Sequence, residues 1–142
     1  MATPSVRILE HRVKFFDDRP EEVNDCRTDD NLKKWLKGKG AAAVVVQGTS
    51  QQESITFKVE GAPVKGLTRT NKTSKFYVTV STESIVMGDF EVGEHTHTFD
   101  KQDIEVLAAA RANWSLVTTF HDADGKEFAK RESSFKIVAP KA

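Results

Sequence analysis

The sequence predicts an all-β protein, an immunoglobulin-like antiparallel β-sandwich with at most one or two short helical turns. Three observations lead to this fold class. About seven to nine short segments alternate apolar and polar residues. Turn-forming residues separate these segments every ten residues or so. One predicted hairpin has a dry face, which requires a second sheet to cover it.

That hairpin spans residues 111–138. Its first strand places four residues on one parity: Trp114, Leu116, Thr118 and Phe120. Asp124-Gly125 forms the reversal, because glycine accepts a positive φ and aspartate tolerates one. The returning strand then places Phe135 and Ile137 on one face.

The remaining strands are predicted from the same alternation. A first strand covers residues 6–16, and a parity change after Ile8 predicts a bulge or a strand that is apolar on both faces. Residues 21–30 are predicted as a polar loop. Further extended segments are predicted at residues 41–46, 51–59, 64–67, 74–80, 85–87 and 90–99.

Two segments leave alternatives open. Residues 31–37 form either a helical turn or two, capped by Asp30 and ended by Gly38, or a loop with Trp35 against the sheet. Residues 103–111 have the helical spacing of Ile104, Leu107 and Ala108, but an irregular crossing loop fits equally well.

Composition narrows the class of protein. The 142 residues suit one domain, residues 1–142. Lys plus Arg equals Asp plus Glu, at 21 each, so there is no general attraction to nucleic acid or anionic membrane. One cysteine excludes an internal disulfide and suits a reducing compartment. Neither a signal peptide nor a membrane-spanning run is present, so we expect a cytosolic protein.

The signals for catalysis or metal binding are weak. His95 and His97 share a strand face, but no third metal ligand is evident, so we interpret them as edge-strand histidines. Asp122-Ala-Asp124-Gly resembles the start of a calcium loop without its later glutamate, and a hairpin turn is favoured. We expect no nucleophilic role for Cys26, because no basic partner that would lower its pKa is evident. We therefore expect no enzyme, no cofactor and no metal.

Large apolar residues are more informative than the polar ones. Several are predicted to point inward: Phe57, Leu67, Phe76, Met87, Phe99, Leu107, Trp114 and Phe135. They either fill a plain core or line a space where the sheets part and accept an apolar ligand.

An ordered series of short stretches resembles the Rho GDP-dissociation inhibitor family across residues 6–138. The stretches are Val46-Gln-Gly, Ile55-Thr-Phe-Lys-Val, Val64-Lys-Gly-Leu, Val86-Met-Gly, His97-Thr-Phe, Ala110-Arg-Ala and Phe120-His-Asp-Ala-Asp. The resemblance implies two sheets that part to hold the geranylgeranyl chain of a prenylated Rho- or Rac-type small GTPase, a carrier that meets membranes only transiently.

By position, the resemblance implies seven residues for the lining of the prenyl pocket: Phe57, Val59, Leu67, Met87, Leu107, Trp114 and Phe135. It also implies that Asp122 and Asp124, at the hairpin tip, face the GTPase. The chain departs from the family in two respects. The family's last strand has two tryptophans around a glutamate, where this sequence has Arg131-Glu132-Ser133. About five residues precede the first predicted strand, so we expect either a chain from which the family's long N-terminal arm has been removed or a short relative without that arm.

Two non-enzymatic alternatives to a prenyl carrier remain. One is a protein-interaction module with a filled core, in which Phe57, Trp114 and Phe135 would touch one another. The other is a carrier of a different lipid.

Overall fold

A computed structural model describes residues 3–38, 43–76 and 78–140, which form two facing β-sheets. The first sheet has the strand order β2-β1-β4-β7, and β8 pairs with β4. Its strands are β1 (Ser5–Phe15), β2 (Glu22–Asp25), β4 (Ser50–Glu60), β7 (Gly93–Thr98) and β8 (Gln102–Asp103). The second sheet has the order β3-β10-β9-β5-β6. Its strands are β3 (Ala43–Val46), β5 (Val64–Lys75), β6 (Val78–Phe90), β9 (Asn113–His121) and β10 (Glu127–Val138).

The predicted all-β sandwich is confirmed, with one departure from purely antiparallel pairing. Strand β3 runs parallel to β10, and Ala43 is the register partner of Phe135. Apolar residues from both sheets meet in a packed core whose most deeply buried members are Ile8, Ile55, Phe57, Val59, Val64, Leu67 and Phe120.

The β9–β10 hairpin is confirmed. Phe135 pairs with Trp114 across it. Gly125 has φ 84°, the left-handed backbone that a tight reversal needs. The bulge predicted in the first strand is also present, as a register shift between Ile8 and Glu10.

Three strand predictions were wrong in detail. The predicted loop at residues 21–30 contains β2, a short edge strand whose polar residues conceal its pairing with β1. The segment 74–80 is the reversal between β5 and β6, and Phe76 turns the chain with φ 52°. Residues 90–99 contain a break between β6 and β7. Residues 41 and 42 of one predicted strand lie outside the described residues, as does Tyr77.

The first of the two open alternatives is a helix, α1 (Asp29–Leu36). The cap is Thr28, two residues before the expected Asp30, and its hydroxyl accepts a hydrogen bond from the Asn31 amide at 3.1 Å. Trp35 nevertheless packs into the core, so this feature of the loop alternative also holds. Gly38 follows the helix with φ 62°, as an end signal requires.

The second alternative is an irregular crossing. Residues 104–112 pass from the first sheet to the second with one 3₁₀ turn, Ala108–Ala110. Within the described part of the chain, no helix has the length and apolar character that crossing a bilayer would require.

Candidate functional site: a cavity between the sheets

The two sheets part at one end and enclose a cavity of about 1110 Å³. This volume is slightly above the usual range of small-molecule pockets, about 300–1,000 Å³. Exposed residues such as Lys101 and Asp103 line its rim, so the cavity opens to solvent. The packed core occupies the other end of the sandwich.

Apolar side chains form one wall of the cavity. They are provided by β3, β9, β10 and the crossing segment, and are Val45, Ile104, Leu107, Leu116, Phe135 and Ile137. The alternation of β10 turns Phe135 and Ile137 to the same side, and parallel pairing aligns Ile137 with Val45. This wall is the part of the cavity suited to a hydrocarbon ligand.

A charged cluster lies at the inner end of the cavity. Glu53 Oε2 is 3.0 Å from His11 Nε2 and accepts a hydrogen bond from Arg69 Nη1 at 3.1 Å. The Arg69 guanidinium also stacks on the Phe99 ring, with Cζ 3.6 Å from the ring centroid. Burial alone would raise the pKa of Glu53, but the His11 hydrogen bond and the Arg69 charge outweigh it and lower the pKa to about 2. Glu53 therefore stays ionised in the folded protein.

A second arginine continues this polar surface. Arg131 Nε donates to the Trp35 carbonyl at 2.8 Å, and its guanidinium lies over the indole ring of Trp35. Burial lowers the pKa of Arg131, and the carboxylates of Glu53 and Glu22 oppose that shift. Among the described residues, neither Arg69 Nε nor Trp35 Nε1 has a hydrogen-bond partner. The inner end of the cavity is thus polar and incompletely satisfied.

A buried glutamine holds the crossing segment over the cavity. Gln47 Nε2 donates to the Leu107 carbonyl at 2.7 Å, and Gln47 Oε1 accepts from Arg111 Nε at 2.8 Å. These bonds join the middle of the segment, at Leu107, and its far end, at Arg111, to the residue that follows β3. Gln47 was not predicted from the sequence; its position directly after an apolar run was the available signal.

The structure brings together only part of the expected pocket lining. Leu107 and Phe135 line the cavity. Trp114 is half-buried beside the mouth, and its indole Nε1 donates to the Ala110 carbonyl at 3.0 Å. The other four belong to the packed core at the closed end: Phe57, Val59, Leu67 and Met87. Phe76, expected to point inward, is 84% exposed.

The two aspartates of the β9–β10 turn have different environments. Asp122 Oδ1 accepts hydrogen bonds from the amides of Asp124 and Lys126, at 2.9 and 2.8 Å, and so holds the turn together. Asp124 is exposed. The turn lies at the end of the second sheet opposite the cavity mouth, because β9 runs from Asn113 at the mouth to His121 at the turn.

The remaining reactive side chains are engaged in packing. Cys26 is fully buried, and burial raises the pKa of its thiol to about 11. His95 Nε2 lies 2.6 Å from the Glu91 carbonyl, and the ring of His97 packs edge-on against Phe99. Within the described ranges, no group of three or more His, Cys, Asp or Glu side chains is arranged to hold a metal ion.

Fold and site together define an immunoglobulin-like β-sandwich with a large cavity opening between its sheets. The family profile described as RHO protein GDP dissociation inhibitor matches residues 2–139. The chain therefore belongs to the Rho GDP-dissociation inhibitor family, which places it among regulators of Rho GTPases.

Similarity to other proteins bears mainly on the fold. A solved Niemann-Pick type C2 protein from Japanese carpenter ant superposes with a TM-score of 0.55 at 11% identity, covering 70% of this chain and 82% of that one. A search of curated protein sequences found no match.

Proposed function

We propose that the protein binds the geranylgeranylated C-terminus of a Rho- or Rac-type small GTPase and keeps it off the membrane. It would act in the cytosol as a non-enzymatic carrier. The single observation that carries this proposal is the open cavity of about 1110 Å³ with its apolar wall. Family membership supplies the class of partner.

The physical requirement on such a carrier is a dry surface that competes with a bilayer. Each methylene removed from water contributes about 0.8 kcal/mol, so a prenyl chain leaves the membrane only for an equally apolar site. Leu116, Phe135 and Ile137 provide such a surface on adjacent strands of the second sheet. Contacts with the GTPase itself would then favour transfer out of the membrane.

Arg131 and Ser133 modify this site. Both line the cavity, and the resemblance to the family matches them with its two tryptophans. A guanidinium and a hydroxyl leave the β10 wall wider and more polar than two indole rings would. We therefore expect weaker prenyl binding than a tryptophan-walled slot would give, and we expect Ser133→Trp to tighten it.

The direct test is a titration with a geranylgeranylated C-terminal peptide that carries a dansyl reporter. We expect saturable binding for the wild type and none for the unprenylated peptide. Leu116→Asp places a charge on the apolar wall and should lower affinity at least about tenfold. Ser115→Asp, the adjacent residue on the outer face of β9, is the matched control and should bind normally. An absence of saturable binding to the prenylated peptide would reject the proposal.

The polar inner end favours one alternative, a carrier of a lipid that has a polar group. Arg69 and Arg131 would then meet that group while the chain rests on the apolar wall. Native mass spectrometry of the purified protein would identify such a ligand. A filled-core interaction module is less favoured, because Phe57 packs edge-on against Phe90 in the core, away from the open end where Trp114 and Phe135 lie.

A further inference from the structure

The far end of the β5–β6 hairpin is an uncovered apolar tip. Phe76, Val78 and Val80 are 84, 65 and 58% exposed. Every residue from Val78 to Ser84 is exposed. Because consecutive strand residues face opposite sides, both faces of β6 are bare here, while residues 73–75 of the neighbouring β5 are half-buried. Contiguous exposed apolar side chains, unlike single ones, mark sites of interaction with proteins or membranes.

The backbone conformation of Phe76 also supports an interaction site at the tip. Its φ of 52° lies in the left-handed region, which is costly for a bulky side chain and is usually occupied by glycine or asparagine at a reversal. The exposed ring regains little of that cost through burial. A strained backbone that displays an aromatic ring to solvent indicates a binding role.

Basic residues surround this tip. Lys72 and Lys75 lie on β5, and Arg111 precedes β9. Lys136, on β10, pairs with Asn113, the first residue of β9. The sequence has no aspartate or glutamate at residues 68–82, 106–121 or 133–140. Four acidic residues border these stretches. Glu83 on β6 and Glu105 in the crossing segment line the cavity, whereas Asp122 lies in the β9–β10 turn and Glu132 lies on β10.

The tip also flanks the cavity mouth. Thr73 and Ser81, on the two strands of the hairpin, line the cavity. Across the mouth, Val106 and Leu107 are 56 and 53% exposed. A surface that held the tip would therefore lie against the opening.

We propose that the tip docks on an anionic lipid bilayer. Phe76 and Val78 enter the headgroup region, and Lys72, Lys75 and Lys136 meet anionic headgroups. A narrow hairpin tip with an exposed aromatic ring, beside an edge strand that is bare on both faces, suits insertion into a fluid surface better than packing on the flat surface of a folded protein. The purpose of this docking rests on the proposed function, since docking would bring the cavity to the membrane that holds the prenyl ligand. The docking itself is measured without any prenylated ligand.

The experiment is sedimentation of the full chain with vesicles of phosphatidylcholine, with or without phosphatidylserine. We expect binding only to the anionic vesicles, and a loss of that binding at high salt. Lys75→Ala should lower vesicle affinity about fivefold. Phe76→Asn should lower it about tenfold, and it preserves the turn because asparagine tolerates the left-handed backbone.

Two variants serve as matched controls. Val86→Ser removes a similarly exposed apolar group from the same hairpin but farther from its tip, and Lys58→Ala removes an exposed charge from the first sheet. Both should bind vesicles as the wild type does. The inference is overturned if the wild type binds neutral and anionic vesicles equally well or fails to bind anionic vesicles. It is also overturned if the tip variants bind anionic vesicles as tightly as the wild type does.

Failure of this inference is distinguishable from failure of the proposed function. In solution, without vesicles, the tip variants should bind the dansylated prenyl peptide as tightly as the wild type. Vesicle binding without peptide binding would retain the docking site and reject the prenyl carrier. A tip variant that loses binding to a soluble GTPase but keeps its vesicle affinity would identify the tip as a protein contact and overturn the inference.

Discussion

Glu53 makes the stability of the folded protein depend on pH. Its carboxylate contacts both His11 and Arg69, and its pKa falls from an ordinary 4.5 to about 2 on folding. Between these two values the unfolded chain binds the proton and the folded chain does not. Lowering the pH therefore favours the unfolded state, and the stabilisation present above pH 4.5 is lost as the pH falls towards 2.

The size of the effect follows from the two pKa values. At about 1.4 kcal/mol per pKa unit, the lowered pKa corresponds to about 3 kcal/mol of stability at neutral pH. Integrating the proton uptake gives a loss of about 2 kcal/mol between pH 7 and pH 3 from this one group. That is a large fraction of the net stability of a typical domain, about 5–15 kcal/mol.

Urea unfolding at pH 7 and pH 3 measures this loss. Glu53→Gln alone leaves Arg69 buried and unpaired, at a cost of about 3–5 kcal/mol, so the informative variant is Glu53→Gln with Arg69→Met. The double variant should lose about 2 kcal/mol less than the wild type between the two pH values. Glu60→Gln, at the exposed end of the same strand, should keep the wild-type dependence. Equal pH dependence in the wild type and the double variant would refute the assignment to Glu53.

Four further predictions concern other parts of the molecule. Phe57→Ala should destabilise the protein by about 3–5 kcal/mol in urea unfolding, because the ring is fully buried; a loss below about 1 kcal/mol would mean that the closed end is not tightly packed. Cys26 should react with a disulfide reagent far more slowly in the native protein than in urea, because its thiol is buried with a pKa of about 11; equal rates would contradict this burial. Asp124→Lys should slow association with a prenylated Rho-type GTPase, most strongly at low salt, by stopped-flow fluorescence. An unchanged association rate for Asp124→Lys would exclude that residue from the interface. Asp122→Ala should lower the melting temperature, since it removes two hydrogen bonds from the turn.

The parts of the fold that local signals determine were predictable. The β9–β10 hairpin follows from alternation and from Asp124-Gly125, which act within a few residues of each other. The reversal at Phe76 was missed because Lys75-Phe76 carries no glycine or asparagine, and the alternation of residues 74–80 continues across the turn. Edge strand β2 was missed because an edge strand needs few apolar residues.

The lining of the cavity was only partly predictable, for a geometrical reason. Parity shows that Phe57 and Leu116 both face inward, but it does not show whether the opposite sheet is close at that level. Phe57 meets the other sheet at the closed end, whereas Leu116 faces open space. The charged cluster did leave a signal: Glu53 shares its parity with Ile55 and Phe57, and a carboxylate on an apolar face requires a buried partner.

The parallel pairing of β3 with β10 has a consequence for biosynthesis. Ala43–Val46 can take its place in the second sheet only once Phe135–Val138 is available, although the ribosome delivers these two segments far apart in time. Until translation has passed Val138, the wall that carries Val45, Phe135 and Ile137 does not exist. A nascent chain therefore cannot bind a ligand in the cavity before β10 has been synthesised, so any ligand must bind after that point.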